Sequence, residues 1–169
     1  MSIFLNRLAI RLLTALLLTV GGVAANAAGT ETDIVIGAPW SQTGHYARAC
    51  EEQRRGLQLW MDAVNARGGL LGRRVRLLTY DDRSSADRAA KHPEQLITAD
   101  RVPILIGPYS SESTRAAAAV AERHSVPMVS IGASSSDLWG KGTRHLFGVY
   151  TPAVAWFDPL SGRAFFMVT

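Results

Sequence analysis

Short uninterrupted apolar runs alternate along this chain with longer stretches whose apolar residues recur every third or fourth position. The run DIVIGA at 33–38, closed by Pro39, predicts a first strand. From 48 to 66 the period changes. Leu57, Trp60, Met61 and Val64 stand at i, i+3, i+4 and i+7, which predicts a helix with these four on one buried face. NARGG at 65–69 ends it, because glycine reaches the positive φ of a helix C-cap without steric cost. Residues 75–80 predict a second strand. Residues 84–99 predict a second helix, capped by Ser84 or Ser85, with Asp87 near the positive end of its dipole.

The next two strands carry the most information. VPILIG at 102–107 runs into Pro108, Tyr109, Ser110, Ser111, Glu112 and Ser113, and then into a helix over 114–124. Ala117, Val120, Ala121 and His124 share one face of that helix. A fourth strand over 126–132 runs into Ala133, Ser134, Ser135, Ser136 and Asp137, and 146–150 reads as a fifth strand. Strands alternating with helices predict an α/β fold, a doubly wound parallel sheet with helices on both faces joined by right-handed crossovers. The continuous apolar strands agree, since parallel strands are buried on both sides.

The N-terminus changes the domain count. Arg7 and Arg11 precede an uncharged apolar run over 12–23, and Ala25-Asn26-Ala27 offers a small-x-small cleavage pattern. This is the grammar of a secretory signal peptide over 1–28, cut near Ala27-Ala28, and the run is shorter than the roughly 20 apolar residues of a spanning helix. Without a twin-arginine pair the general secretory route is expected, which places the product in the periplasm. Residues 29–150 then form one lobe. Removal of the signal peptide takes the formal charge from +4 to +2 with the loss of Arg7 and Arg11. Arg73, Arg74 and Arg76 alternate with strand residues and lack interleaved aromatics, so they read as a solvated strand edge and no nucleic-acid partner is expected. Cys50 is the single cysteine, which excludes an internal disulfide and leaves no acylation site near the mature N-terminus; it is expected to be a small semi-buried helix residue.

Ligands of such sheets sit beyond the carboxyl ends of the strands. Three loops therefore hold the candidate chemistry: 40–44 with Trp40, 109–113 with Tyr109, Ser110 and Ser111, and 133–136 with Ala133 and Ser134. Hydroxyls of Ser111 and Ser134, with nearby N–H groups and a helix dipole, suit a carboxylate. Trp40 or Tyr109 suits an apolar side chain or a cation. Against this stands the plainer role of Ser111 and Ser113 as N-caps. Catalytic signatures are weak. There is no Gly-x-Ser-x-Gly elbow and no Walker spacing, and the four histidines are scattered one to an element. Asp81-Asp82 reads as a turn that caps the next helix. No enzymatic activity, metal or cofactor is expected.

Taken as a set, several segments resemble the N-terminal lobe of the periplasmic branched-chain amino-acid binding proteins, the substrate-binding subunits of ABC importers. They are IVIG at 34–37 with SQTG at 41–44, the stretch from Gly56 through NARGGLLGR at 65–73, and YDD at 80–82. They continue with IGPYSS at 106–111 and VPMVS at 126–130 with GAS at 132–134. The resemblance implies a type I periplasmic-binding-protein lobe that captures a small-molecule ligand, an amino acid or amide-like molecule, and a permease partner in the inner membrane for the full-length protein. Carried over by position, it assigns ligand contacts to Ser111, Ala133 and Ser134, with Tyr109 and Ser110 as neighbours. The family's aromatic cover falls near Ala49 or Cys50, neither aromatic, so Trp40 or Tyr46 is expected to substitute. Pro93 interrupts a helix that is continuous in the family. Residues 151–169 do not align and read as a truncated or frameshifted end. The second lobe is missing, so binding by this chain alone is expected to be weak or undetectable, and an apolar surface is expected around 149–157. Alternatives are a sensory domain of the same fold, a hydrolase-like α/β enzyme, or a fragment without function.

Overall fold

The computed structural model describes residues 32–140 and 142–155. The signal-peptide expectation for 1–28, and the part of the tail expectation for 151–169 beyond residue 155, lie outside the described residues. The elements are β1 (Ile34–Trp40), α1 (Ala47–Ala66), β2 (Val75–Asp81), α2 (Ala86–Thr98), β3 (Ile104–Ile106), α3 (Ser111–His124), β4 (Met128–Ser130) and β5 (Leu146–Gly148). Single turns of 3₁₀ helix occupy Ser136–Trp139 and Ala153–Ala155. All strand pairings are parallel and the order is β2-β1-β3-β4-β5. The chain steps outward from β1 to β2 and then returns past β1 to β3. The winding direction therefore reverses between β1 and β3, and loops leaving these two strands diverge to open a crevice.

Side-chain alternation distributes the core over two faces. Ile36 packs with Met61, Val64 and Val75 beneath α1, and Ala38 and Trp40 pack with Cys50 at its start. On the other face Leu105, Met128 and Leu146 pack with Leu96, Ala117 and Ala121 of α2 and α3. This is the expected doubly wound arrangement. The expected cap glycines end α1 with φ of +97° at Gly68 and +81° at Gly69, where an added Cβ would run into the Arg73 carbonyl.

Four sequence expectations are corrected. Strands β3 and β4 are three residues each, shorter than the apolar runs, because the flanking residues finish the preceding helices. Val102 N–H donates to Leu96 O at 3.0 Å and Val126 N–H to Ala121 O at 3.0 Å. Pro93 does not break α2. It lies inside the continuous helix and its ring is buried, so apolar packing offsets the backbone bond that proline cannot make. Trp60 is 41% exposed and does not join Met61 and Val64, because the buried stripe of α1 runs instead through Cys50, Leu57, Met61 and Val64. Cys50 is fully buried at 1% exposure rather than semi-buried. The expected apolar surface is seen over its described part, where Val149, Tyr150 and Val154 are exposed.

Candidate functional site

The loop that leaves β1 is shaped by the end of β2. Asp81 accepts the N–H groups of Gln42 (3.0 Å), Thr43 (3.2 Å) and Arg83 (3.0 Å) and the Thr43 hydroxyl (2.7 Å). Asp82 is fully buried and accepts the Ser41 hydroxyl at 2.5 Å and the Ser84 N–H at 2.8 Å. The Ser84 hydroxyl in turn accepts Tyr46 N–H at 3.0 Å and donates to Thr43 O at 3.1 Å. The two acids thus form the expected turn, but they do not cap the next helix: their carboxylates hold residues 41–43, 83 and 84, and Ser85, the N-cap of α2, makes no side-chain cap bond. Burial raises the Asp81 carboxyl, yet the Thr43 hydroxyl and three amides more than offset it and hold it below the usual aspartate value. At Asp82 burial wins over the bonds from Ser41 and Ser84, and the carboxyl is pushed up. Burial likewise raises the Cys50 thiol, an unreactive state for a cysteine.

The two serine turns meet across β3 and β4. Ser110, not Ser111 or Ser113, is the N-cap of α3: its hydroxyl accepts Ser113 N–H at 3.2 Å. Its φ of +78° is a strained value for a non-glycine residue, of a kind that costs on the order of 1–3 kcal/mol and persists only where neighbours enforce it. Ser111 is thereby released from capping. Its hydroxyl oxygen accepts the N–H groups of Ser134 (3.2 Å) and Ser135 (3.1 Å), so the start of α3 is tied to the loop after β4. Ala133 is buried in the core beside them.

Aromatic residues flank this junction on the α1 side. Tyr46 and Tyr109 have ring centroids 5.2 Å apart at 49°, and His45 meets Tyr46 edge-on at 5.1 Å. Trp40 is placed differently from the expectation. It is 2% exposed, its indole N–H donates to Cys50 O at 3.2 Å, and it lies in the cluster on which Tyr46 and Tyr109 pack. The strand pattern explains the reversal: Trp40 shares a strand face with Ile36 and Ala38, so it points under α1 and supports the tyrosines from below. Its place at the surface is taken by Tyr46, the other aromatic of that loop.

The structure therefore brings Ser111, Ser134, Ala133, Ser110 and Tyr109 to the carboxyl end of β3 and β4 and buries Trp40 beneath Tyr109. Sequence reasoning missed Gln53, whose side-chain amide donates to Ile131 O at 2.8 Å and links α1 to the end of β4. The signal was its position four residues before Leu57, a polar residue bordering an apolar stripe. Among the described residues no group of three or more His, Cys, Asp or Glu stands together to hold a metal ion.

Comparison with known proteins agrees with the fold. The sequence profile of the periplasmic binding protein family matches residues 33–162. The Leu/Ile/Val-binding protein homolog 8 of Brucella abortus (strain 2308) is 34% identical over 115 residues, 68% of this chain and 28% of that protein. The branched-chain amino acid transporter substrate-binding protein LivJ of Streptococcus pneumoniae, solved in complex with isoleucine, superposes with a TM-score of 0.68 and 32% identity. The match covers 71% of this chain and 34% of that one. The leucine-binding protein LivK of Thermotoga maritima superposes with a TM-score of 0.64 and 25% identity, over 70% of this chain and 33% of that one. The chain thus spans about a third of the length of the relatives it matches. With its switch-point crevice, its linked serine turns and this match over most of its length, the chain belongs to the periplasmic binding protein family.

Proposed function

We propose that this chain supplies one ligand-gripping lobe of an exported solute-binding protein, which captures an amino acid or a similar small polar molecule and presents it to an ABC permease in the inner membrane. The setting is the periplasm. The observation that carries this reading is the state of Ser111. Its oxygen accepts two amide N–H groups, so its own proton is left to donate, and those two donors polarise it toward an incoming anion. It also stands at the first turn of α3, where the helix dipole favours negative charge. In this reading the ligand carboxylate takes the Ser111 proton, with the Ser134 hydroxyl beside it, while Ala133 and Ser110 shape the floor and Tyr109 the side wall. The leucine, isoleucine and valine named for the relatives support an amino-acid ligand. Binding by the chain alone is weak, because the crevice is an open edge.

The test is an NMR titration of the ¹⁵N-labelled chain with L-leucine, L-isoleucine and L-leucinamide. The two amino acids should shift amides within 107–111 and 131–135 at millimolar concentration, and leucinamide should not. Ser111→Ala should weaken binding about tenfold or more, the usual worth of a hydrogen bond to a charged group. Equal binding of leucinamide, or an unaffected Ser111→Ala variant, would overturn the proposal.

A further inference from the structure

The wall beside the serine junction indicates which side chain the ligand carries. Tyr109, two residues before Ser111, lines a concavity of about 410 Å³ together with His45, Tyr46, Arg48, Ala49 and Glu52. Its apolar surface is aromatic: two tyrosine rings in contact and the edge-on imidazole of His45. Ala49 is the one aliphatic side chain among these six.

These rings are held rather than free to swing aside. Both tyrosines rest on the Ala38–Trp40–Cys50 cluster, whose members are at most 2% exposed. The backbone of Tyr46 is pinned by the Ser84 hydroxyl, and Gly44 is pressed onto the Arg83–Ser84 turn, where even a Cβ would lie 2.7 Å from the Ser84 hydroxyl oxygen. Tyr109 lies against Gly132 so closely that a Cβ there would be 2.6 Å from its ring. Trp40, Ser84 and Gly132 thus act as positioning residues for a fixed aromatic surface. Such a surface rewards a ring that can pack offset or edge-on against it beyond the area it buries, whereas an aliphatic side chain gains from area alone.

We infer that the ligand of this lobe is an aromatic carboxylate, its ring packed on Tyr46 and Tyr109 while its carboxylate takes the Ser111 proton. The inference rests on the carboxylate site proposed above and adds the chemistry of the side chain. Two sources share that chemistry, an aromatic α-amino acid and an arylcarboxylate without an amino group.

The test compares four ligands on the chain by saturation-transfer and amide-shift NMR: L-phenylalanine, benzoate, L-leucine and β-cyclohexyl-L-alanine, which matches phenylalanine in size but has no π-system. L-phenylalanine is expected to bind about threefold to tenfold more tightly than both aliphatic amino acids. Benzoate binding as tightly as phenylalanine assigns an arylcarboxylate, and weaker benzoate binding assigns an amino acid. Either Tyr109→Leu or Tyr46→Leu, whichever folds, should bring the phenylalanine-to-leucine ratio close to one. Leucine or cyclohexylalanine binding as tightly as phenylalanine overturns the aromatic assignment while leaving the carboxylate site standing. Failure of all four to bind at millimolar concentration overturns the carboxylate site, and the aromatic assignment with it.

Discussion

Asp82 carries the most exposed consequence of any single residue here, although it is itself fully buried. One carboxylate oxygen holds Ser41 and Ser84, and the other has no hydrogen-bond partner among the described residues. A buried acceptor left in that state favours the protonated form, which agrees with the raised carboxyl value. A carboxyl whose folded value lies above its unfolded one stabilises most at low pH, and that contribution is lost as pH rises through the folded value. Asparagine keeps one acceptor and never charges. The stability of Asp82→Asn relative to the native chain should therefore improve as pH rises from the unfolded aspartate value, about 3.9, through the folded one, read by urea unfolding. Asp82→Ala should cost about 2–4 kcal/mol at low pH, since it strands the buried Ser41 hydroxyl as well, and its cost should shrink as pH rises in the same way. A pH-independent difference for Asp82→Asn would mean that the buried carboxyl is not the titrating group.

Among the elements, β5 is the most dependent on a single partner. It has three residues, pairs among the described strands with β4 alone, and its approach is clamped by Glu122 of α3. One carboxylate oxygen accepts the N–H groups of Arg144 and His145, each at 2.7 Å, and the other meets the His145 ring at 2.9 Å. Glu122→Ala should speed amide hydrogen exchange across 144–148 by about tenfold or more, while β1 and β3 keep their protection, because it removes hydrogen bonds to a charged group at one end of the sheet. Uniform loss of protection would instead make β5 part of the global folding unit. Legibility from sequence follows the same physics. Alternation of periods gave the element order and the parallel sheet, because burial on both faces writes itself into continuous apolar runs. It misjudged Trp60 and Pro93, since which side of a helix stripe is covered, and whether a proline ring is packed, depend on the neighbouring element. The serine turns were legible because hydroxyls at strand ends are a local feature. The Trp40–Tyr46–Tyr109 layering was not, because it joins residues from two loops and a strand.

At the scale of the whole molecule, acidic side chains tie neighbouring elements together in addition to the backbone hydrogen bonds of the sheet. Asp81 ties the β1 loop to β2, Glu94 of α2 meets Arg123 (2.7 Å) and His124 (2.9 Å) of α3, and Glu122 joins α3 to β5. Burial raises each of these carboxyls, but their hydrogen-bond donors prevail and all three sit below their ordinary values. A depressed carboxyl contributes stability that is complete above its unfolded value, about 3.9 for aspartate and 4.3 for glutamate, and is lost as pH falls through the folded value. Asp82 acts in the opposite direction, but it is one group against three. Protonating the 14 acidic residues against 18 lysines and arginines also leaves a strongly positive chain that repels itself. The melting temperature followed by circular dichroism should therefore hold steady from pH 7 to about pH 5 and fall steeply below about pH 4. Asp81→Asn and Glu122→Gln should each lower the plateau and soften the acid limb, because the titrating carboxyl is gone while the remaining ties persist. If the melting temperature stays flat down to pH 3, these carboxylates do not hold the elements together, and the packing of α1, α2 and α3 on the sheet carries the fold alone.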